Sequence, residues 1–473
     1  MAFAGSGGAG EAPPPPVSGT GSGQPPFAPL LAVCAGYFMV ILDVTVINVA
    51  VPVIGREFRA SLTGIQWITD GYTLVFAGFL LTAGALGDRL GNRRVFCSGV
   101  AVFTVASAAC ALAPTAPFLV GARLAEGLGA ALIVPGSLAL LQQAYPAPAA
   151  RSRAFGLWGS MAGIAASSGP LLGGLLVSTV GWRWVFLINL PVGVACLVLT
   201  LRHVARSPRH GDRAVDWPAQ CAVVAAVALL TAAFNEAGRR GWSDPAVLAG
   251  AGLALLAVAA FALRERLARS PALPLSLLRS RAMSGGAVIG MLFNLGFYGM
   301  VFTASLEFQH QRGFSALRTG VALFPAVAMT TFASVLSGRL SRRTGHRPLV
   351  ISGMLLAALG LAAWAAAGPD PAYALLVAPM MAAGFGTSFA LTGSTATMMS
   401  AAPPQFSGTS SALFNTTRQL GSAIGVALGG SLLATAGSYS VGLRTSMAIG
   451  ALAYLTAAGL AWLCIPAKPE KAT

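Results

Sequence analysis

The sequence Gly84-Ala-Leu-Gly-Asp88-Arg89-Leu-Gly91-Asn-Arg93-Arg94 closes one long apolar stretch, and residues 338–348 repeat its pattern after another. The second copy reads Gly338-Arg-Leu-Ser-Arg342-Arg343-Thr-Gly345-His-Arg347-Pro348. In both copies two glycines stand seven residues apart, and an arginine lies two positions before and two positions after the second glycine. The first copy follows the second apolar stretch of the chain, and the second copy follows the tenth. An offset of eight predicts two six-helix bundles with two inserted helices, and repeated bundles are typical of secondary transporters.

The composition places these apolar stretches in a membrane. Hydrophobic residues make up 55% of the 473 residues and charged residues only 9%, whereas about 25% of an average globular domain is charged. A soluble protein of this size could not cover its surface with so few charged residues. A chain with so many apolar residues would also not remain disordered. From Pro29 onward, fourteen segments are apolar over a length that crosses a membrane. The predicted fold is therefore an all-α polytopic membrane protein with fourteen transmembrane helices.

The repeat and the apolar segments also predict how the chain is divided. Residues 1–28 are rich in Gly, Pro and Ser and are expected to form a disordered cytoplasmic tail. The six-helix bundles are expected at residues 29–202 and 284–465, and the two inserted helices with their flanking cytoplasmic loops at residues 203–283. Residues 466–473 form a second predicted cytoplasmic tail.

The net charge of +16 is distributed unevenly between the loops. Loops that this topology places inside hold 20 basic residues, and loops placed outside hold 8. The positive-inside rule then predicts a multi-pass protein of the cell (plasma) membrane with both termini in the cytoplasm. It also accounts for the basic charge without a nucleic-acid partner.

The sequence offers no sign of a metal site or of nucleotide chemistry. Its six cysteines have no paired spacing, and none of its four histidines lies beside a second candidate ligand. The chain contains no phosphate-binding loop of the G-x-x-x-x-G-K-[ST] type. We therefore expect no cofactor and no enzymatic activity.

Six further motifs accompany residues 84–94. They lie at residues 42–50 (Leu-Asp-Val-Thr-Val-Ile-Asn-Val-Ala), 66–74, 123–129, 156–174, 182–191 and 415–421 (Asn-Thr-Thr-Arg-Gln-Leu-Gly). With these motifs, residues 29–465 resemble the major facilitator superfamily, and within it the fourteen-helix drug:proton antiporters of the methylenomycin-resistance type from actinomycetes. The chain departs from that pattern at Val51, where Leu is usual, at Glu126, where Gln is usual, and at Ala165, where Gly is usual.

The resemblance implies a monomeric, proton-coupled antiporter that exports hydrophobic or amphipathic small molecules, such as antibiotics, by alternating access. The lipid bilayer and protons would be its other partners, and the proton gradient would replace a cofactor. The residues leave two alternatives open. The cargo could be an endogenous metabolite, a lipid or a siderophore, or the fold could serve a membrane sensor that transports nothing.

Proton coupling requires a carboxylate within the membrane, where a charge is costly and is therefore a functional candidate. At 1.5 Å per residue, Asp43, Asp70 and Arg123 each lie roughly 10 Å below the outer membrane edge. Glu126 follows Arg123 by one helical turn on the same face. These four residues are the predicted coupling site, and the alternative is an ion pair that only locks two helices together.

Two further groups of residues follow from the resemblance. It implies that Asp88 latches a cytoplasmic gate against the N-terminus of the thirteenth helix, and that an antiporter motif in the fifth helix seals the two halves. The predicted gate residues are Gly84, Asp88, Arg89, Gly91 and Arg93. The predicted motif residues are Gly156, Gly169, Pro170, Gly173 and Gly174. Small residues at four-residue spacing permit close helix contact, and proline favours a bend.

Polar and aromatic residues in the apolar segments form a candidate substrate path. They are Asn48, Gln66, Tyr72, Asn294, Tyr298, Glu307, Asn415 and Arg418. Glu307 falls near the outer end of the ninth predicted helix, where a solvated position is an equal alternative.

Overall fold

The computed structural model describes residues 27–59, 62–207, 217–268, 273, 275–314, 316–368 and 371–467. The described residues are helical and include no β-strand. The first group of helices is α1 (Phe27–Glu57), α2 (Leu62–Leu90), α3 (Asn92–Ala111), α4 (Ala116–Ala144), α5 (Pro148–Thr179), α6 (Trp184–Leu187) and α7 (Asn189–His203). It is followed by α8 (Trp217–Arg240), α9 (Pro245–Leu267) and the short α10 (Leu275–Leu278). The second group is α11 (Arg281–Leu306), α12 (Ala316–Thr344), α13 (His346–Ala366), α14 (Tyr373–Ala401), α15 (Ser407–Thr435) and α16 (Tyr439–Cys464).

The predicted tails fall almost wholly outside the described residues, which begin at Phe27 and end at residue 467. Helix α1 begins two residues before the predicted boundary.

The second glycine of each repeated motif makes a sharp turn. Gly91 separates α2 from α3 with a φ of 95°, and Gly345 separates α12 from α13 with a φ of 78°. Both values lie in the left-handed region, which glycine reaches without a steric penalty. The repeated pattern thus marks two equivalent interhelical turns, one in each group of helices.

The helices are long and apolar enough to cross a membrane. Eleven helices among the described residues qualify, or twelve if the bent α5 is counted as one span. The remaining long helices are α8, whose apolar part is Pro218–Leu230, and α15, which is polar in its first half. The protein is therefore a multi-pass membrane protein, while the count of fourteen spans stays a prediction.

Each group of helices has its own apolar core. In the first group α4 packs against α2 and α3, and α1 packs against α5 and α7. In the second group α11 packs against α15 and α16, and α14 packs against α12 and α13. Phe96 and Trp158 lie in the first core, and Phe293 and Trp364 lie in the second.

The two groups meet along two seams. Helix α2 packs against α15 on one side, and α5 packs against α12 and α14 on the other. Helix α8 contacts both α2 and α15, so one of the two inserted helices lies across the first seam. Its partner α9 packs against α8 and exposes most of its surface.

Helix α5 is bent by 41° between Pro148–Ala166 and Leu171–Thr179. The break contains Pro170, whose missing backbone N–H removes one helical hydrogen bond. The sequence prediction of a bend at this proline therefore agrees with the backbone.

Candidate functional site

Three charged side chains meet inside the first group of helices. Asp43 on α1 and Arg123 and Glu126 on α4 are each at most 2% exposed. Nη1 of Arg123 donates hydrogen bonds to Asp43 Oδ2 at 2.6 Å and to Glu126 Oε2 at 2.7 Å. A single guanidinium nitrogen therefore bridges two buried carboxylates.

Neutral groups satisfy the remaining carboxylate oxygens. Asn189 Nδ2 donates to Asp43 Oδ1 and to Ser107 Oγ, at 3.1 Å in each case. The Ser107 hydroxyl donates to Glu126 Oε1, and Cys110 Sγ approaches Glu126 Oε2 at 3.5 Å. Every carboxylate oxygen of the cluster thus accepts a hydrogen bond, which offsets the cost of removing these charges from water.

Helix α2 holds the other side of the arginine. Arg123 Nε donates to the Ile68 carbonyl oxygen at 3.1 Å, and the guanidinium carbon lies 4.3 Å from the centre of the Tyr72 ring. Tyr72 is only 1% exposed, and its hydroxyl has no hydrogen-bond partner among the described residues. The structure therefore packs Tyr72, a predicted path residue, against the charged cluster.

The sequence did not identify two members of this cluster. Asn189 lies in the recognised motif at residues 182–191, but no pattern in the sequence gives it a role. Ser107 is a single polar residue in an apolar helix, and nothing beyond that polarity marks it. Both are recognisable only because α3, α6 and α7 bring them beside Asp43 and Glu126.

Some predicted residues lie outside what the structure describes. The structure does not describe the side chains of Asn48, Gln66, Asp70 and Pro170. The membership of Asp70 in the proton-coupling site therefore stays a prediction.

A second buried carboxylate joins the two groups of helices. Asp88, which is 5% exposed, accepts hydrogen bonds from the backbone N–H groups of Gly408 at 2.7 Å and Thr409 at 2.8 Å. The Thr409 hydroxyl donates a third bond at 2.8 Å. These groups are the N-terminus of α15, where free N–H groups and the helix dipole favour an anion.

Glycines allow α2 and α15 to approach closely at this point. A Cβ on Gly84 would overlap the carbonyl oxygen of Gly408 and lie 2.5 Å from the Ala412 Cβ. A Cβ on Gly408 would lie 2.8 Å from Asp88 Oδ1. Neither glycine can be enlarged without separating the carboxylate from the helix end.

The other gate candidates surround the Gly91 turn. The backbone N–H of Arg93 donates to Ser207 Oγ at 3.2 Å, and its guanidinium donates to the Leu201 carbonyl at 2.5 Å. Arg93 therefore ties the start of α3 to the end of α7. Arg89 is partly buried beside the turn.

The glycines of α5 face two different neighbours. A Cβ on Gly156 would lie 3.0 Å from the Gly338 Cα of α12, so this contact crosses between the two groups. A Cβ on Gly169 would overlap Thr45 of α1, and one on Gly173 would lie 3.1 Å from the Val46 carbonyl oxygen. Gly169 and Gly173 thus pack within the first group, whereas the sequence interpretation assigned them to a seal between the halves. Gly174 would place a Cβ in open space.

Four candidate path residues lie in the second group of helices, on α11 and α15. Asn294 Nδ2 donates to the Arg418 carbonyl oxygen and to Ser422 Oγ, at 2.9 Å in each case. Asn415 is buried and Arg418 is partly buried, whereas Tyr298 is 41% exposed. Asn294, Asn415 and Arg418 therefore lie together at the α11–α15 contact.

Glu307 lies in a π-helical turn, Glu307–Gln311, that extends α11. It is 5% exposed and accepts a hydrogen bond from Arg312 Nε at 3.2 Å. Arg312 also donates to the Pro371 carbonyl oxygen at 2.7 Å. Glu307 is therefore a buried partner of an arginine, and the solvated position considered for it is wrong.

Metal coordination receives no support from the side-chain arrangement. Within the described ranges, no group of three or more His, Cys, Asp or Glu side chains is arranged to hold an ion.

Comparison with known proteins agrees with this geometry. The sequence profile described as Major Facilitator Superfamily matches residues 33–426. The chain belongs to the major facilitator superfamily. It is therefore a transporter of that superfamily and not an enzyme.

Relatives within the superfamily are similar over most of their length. The chain is 35% identical to the methylenomycin A resistance protein of Streptomyces coelicolor over 442 residues, which cover 93% of each protein. It is 36% identical to the tetracenomycin C resistance and export protein of Streptomyces glaucescens over 422 residues, covering 87% of this chain and 76% of that protein. The fold matches the human organic anion transporter MFSD10 (TETRAN) with a TM-score of 0.69 at 15% identity, covering 93% of this chain and 100% of that one.

Proposed function

We propose that this superfamily transporter is a proton-coupled antiporter that exports hydrophobic or amphipathic small molecules, antibiotics among them. The observation that carries the proposal is the buried cluster of Asp43, Arg123 and Glu126. The names of the relatives, which are resistance and export proteins, support a drug as the cargo. The proton gradient supplies the energy, and the protein acts as a monomer without a cofactor.

The cluster has the charge that proton exchange requires. Two carboxylates face one guanidinium, so the ionised cluster carries one negative charge in excess. A charge within the membrane is costly, and a single bound proton removes it. The two carboxylates share one arginine, so a proton on either of them leaves the cluster neutral.

Alternating access is supported by the contacts between the two groups of helices. Asp88 binds the N-terminus of α15, Gln142 Nε2 donates to the Met399 carbonyl oxygen at 2.7 Å, and Arg151 donates to Ser400 Oγ at 3.0 Å. All three contacts join ends of helices that the positive-inside rule places in the cytoplasm. In this proposal the protein is closed towards the cytoplasm, and Asp88 and the glycines around it form the gate.

Location in the plasma membrane with both termini in the cytoplasm belongs to the same proposal. Hydrogen bonds near the helix ends join residues assigned to one side of the membrane. Arg93 to Leu201 is such a pair on the inner side, and Arg312 to Pro371 is one on the outer side. These pairs agree with the predicted sides of the loops within each group, and fourteen crossings, α8 and α15 included, belong to the same proposal.

The test is a flux measurement with purified protein in sealed proteoliposomes. Addition of methylenomycin A or tetracenomycin C should cause proton movement opposite to drug movement, reported by an internal pH-sensitive dye. Protein-free vesicles are the control. If a panel of antibiotics moves across the vesicle membrane without proton movement, the antiporter assignment is wrong. If no compound moves at all, export itself is contradicted.

A further inference from the structure

Arg418 is a charged residue in the middle of a membrane helix. It lies eleven residues after the start of α15 at Ser407, which places it roughly 17 Å from that end of the helix. Its side chain is partly buried. A cation at this depth is costly unless an anion or a set of acceptors accompanies it.

Among the described residues, the acceptors beside the Arg418 guanidinium are Asn415 and the Tyr37 hydroxyl. Nη1 of Arg418 donates one long hydrogen bond, 3.4 Å, to Asn415 Oδ1, and its buried Nε has no partner among the described residues. The rings of Phe293 and Phe414 lie 5.8 and 5.6 Å from the guanidinium carbon, close to the limit of about 6 Å for a useful cation–π contact. None of the ion pairs between described residues includes Arg418.

The contrast with Arg123 shows what is missing. Arg123 lies at a comparable depth in the first group of helices and bonds two carboxylates and a backbone carbonyl. Among the described residues Arg418 has only neutral partners, Asn415 and the Tyr37 hydroxyl, and no carboxylate. A guanidinium presents its N–H donors in a planar fork that matches a carboxylate.

Residues from both groups of helices surround this position. The Tyr37 hydroxyl of α1 is close enough to interact electrostatically with the Arg418 guanidinium and with Tyr298 of α11. Tyr298 exposes 41% of its surface and packs edge to face against Phe297 at 5.5 Å. A molecule held here would meet a cation, a phenol hydroxyl and an exposed aromatic face, contributed by the two halves that move during alternating access.

We propose that Arg418 is an anion-binding position in the transport path and that the cargo it recognises is an organic anion, a carboxylate or phenolate on an apolar body. The inference rests on the proposed export function and narrows its substrate class. The anionic group pairs with the guanidinium, and the apolar body lies against Tyr298. The cargo supplies the negative charge that none of the described residues places beside Arg418.

The test compares three probes of one shape: 1-naphthoate, its methyl ester and 1-naphthylmethylammonium. Thermal unfolding of the purified protein in a neutral detergent is measured against the concentration of each probe. Only 1-naphthoate should bind tightly, and the ester should bind about 10-fold to 100-fold more weakly, since a hydrogen bond to a charged group contributes that much. Equal binding of acid and ester, or no saturable binding of 1-naphthoate, overturns the proposal.

Two substitutions assign the effect to one residue. Arg418→Gln should abolish the preference for the acid, while Arg418→Lys should retain it in weaker form because an ammonium lacks the planar fork. Arg339→Gln removes the same charge from an exposed position on α12 and is the matched control. A preference for the acid that persists in Arg418→Gln contradicts the proposal. If Arg418→Gln does not fold, the weaker preference for the acid expected of Arg418→Lys still tests the proposal.

Two further measurements are made. The first distinguishes a lipid headgroup from a soluble organic anion, and the second distinguishes this inference from the proposed export function. Phosphatidylglycerol is added to the detergent to test a lipid headgroup. If this lipid alone gives an Arg418-dependent stabilisation and 1-naphthoate does not, the site is a lipid site and the proposal fails. Proton flux with neutral and anionic drugs is then measured in vesicles. Flux that shows no Arg418-dependent preference for anions contradicts this inference alone, and the absence of any flux contradicts the export function.

Discussion

Arg123 determines how the buried charges of the first group of helices can behave. Its Nη1 contacts Asp43 and Glu126 at nearly equal distances, so removing either acid leaves the arginine with a carboxylate partner. Removing the arginine instead leaves two buried carboxylates without a counter-charge, which is the costlier change. The acids are therefore the residues to substitute in a functional test.

The first prediction concerns Asp43. Asp43→Asn keeps the size and hydrogen bonding of the side chain but cannot bind or release a proton. A pH unit is equivalent to about 1.4 kcal/mol, or about tenfold in accumulation per coupled proton, and 100 mV of membrane potential adds about 2.3 kcal/mol per charge. The variant should bind the drug and lose this dependence, measured as the drug accumulation ratio in vesicles at several imposed pH gradients.

The matched control is Glu57→Gln on the same helix. Glu57 is about half exposed and pairs with Arg183 at 2.8 Å, and an exposed pair contributes only about 0–1 kcal/mol. The accumulation ratio should stay at the wild-type value. If Asp43→Asn accumulates drug as the wild type does, the coupling acid is elsewhere, with Glu126 and Asp70 the next candidates.

The second prediction concerns Asp88. Asp88→Asn replaces one acceptor oxygen by a donor that faces the N-terminus of α15, so it should destabilise the joined state by about 1–3 kcal/mol. A thiol cross-linker between Arg151→Cys and Ser400→Cys reports this state, because the native side chains lie 3.0 Å apart. The cross-linking yield should fall.

Asp244→Asn is the control for the loss of a carboxylate charge at a helix N-terminus. Asp244 accepts a hydrogen bond from the Ala246 backbone N–H at the start of α9, away from the contact between the halves. The cross-linking yield should be unaffected by this change. An unchanged yield in Asp88→Asn would mean that the carboxylate does not hold the two halves together.

Among the helices, α5 contacts both α1 and α12. Its first part packs against α12 of the other half through Gly156, whereas Gly169 in the break and Gly173 in the second part pack against α1. The bend of 41° lies between the two parts. A movement between the halves would act on the first part, while the second part stays attached to the helix that carries Asp43.

The third prediction concerns this attachment. A leucine at Gly169 would force α5 away from Thr45, two residues from Asp43, and such overpacking costs about 1–3 kcal/mol. Drug export by Gly169→Leu should fall at least about tenfold, while the protein still inserts into the membrane. Export is measured in cells by drug accumulation, and insertion by the amount of protein in washed membranes.

Gly459→Leu on α16 is the steric control, because a Cβ there would meet no atom within 4 Å. Export should remain at the wild-type level. Normal export by Gly169→Leu would show that the close contact between α1 and α5 is unnecessary. A parallel Gly174→Leu variant changes a glycine that belongs to the predicted motif but borders open space. It therefore shows whether export depends on close packing or on the motif glycines in general.

At the scale of the whole molecule, the number of crossings made by the inserted helices decides on which side of the membrane every later loop lies. Helix α8 lies across the seam between α2 and α15, and Gln220 Nε2 donates to the Gly78 carbonyl oxygen at 3.1 Å. The apolar part of α8 includes Pro218–Leu230, and its crossing of the membrane stays a prediction.

The fourth prediction concerns the side of the membrane on which the loops lie. In a cysteine-free background, Arg206→Cys should be protected from a membrane-impermeant thiol reagent added to intact cells. Ser243→Cys and Gly437→Cys should be labelled, because two crossings by α8 and α9 place both loops outside. Labelling at position 206 would contradict the cytoplasmic assignment. Protection at position 243 would show that α8 does not cross the membrane.

The sequence alone was sufficient for the family and for the fold class. Apolar length, the repeated glycine and arginine pattern and the basic loops are local properties, and each is readable without knowing which helices touch. The bend at Pro170 was predicted from its missing backbone donor. Asp43, Arg123 and Glu126 were predicted as site residues because they are charged residues at membrane depth.

Only the tertiary structure decided which side chains meet. Asp88 and its partner Gly408 are separated by 320 positions in the chain, and Asp43 and Asn189 by 146. The relative rotation of packed helices fixes such pairs, and an evenly apolar membrane helix carries no polar face from which that rotation can be read. For this reason Ser107 and Asn189 escaped the sequence analysis, the contact of Gly169 with Thr45 could not be predicted, and the lack of a carboxylate beside Arg418 among the described residues became visible only in the folded chain.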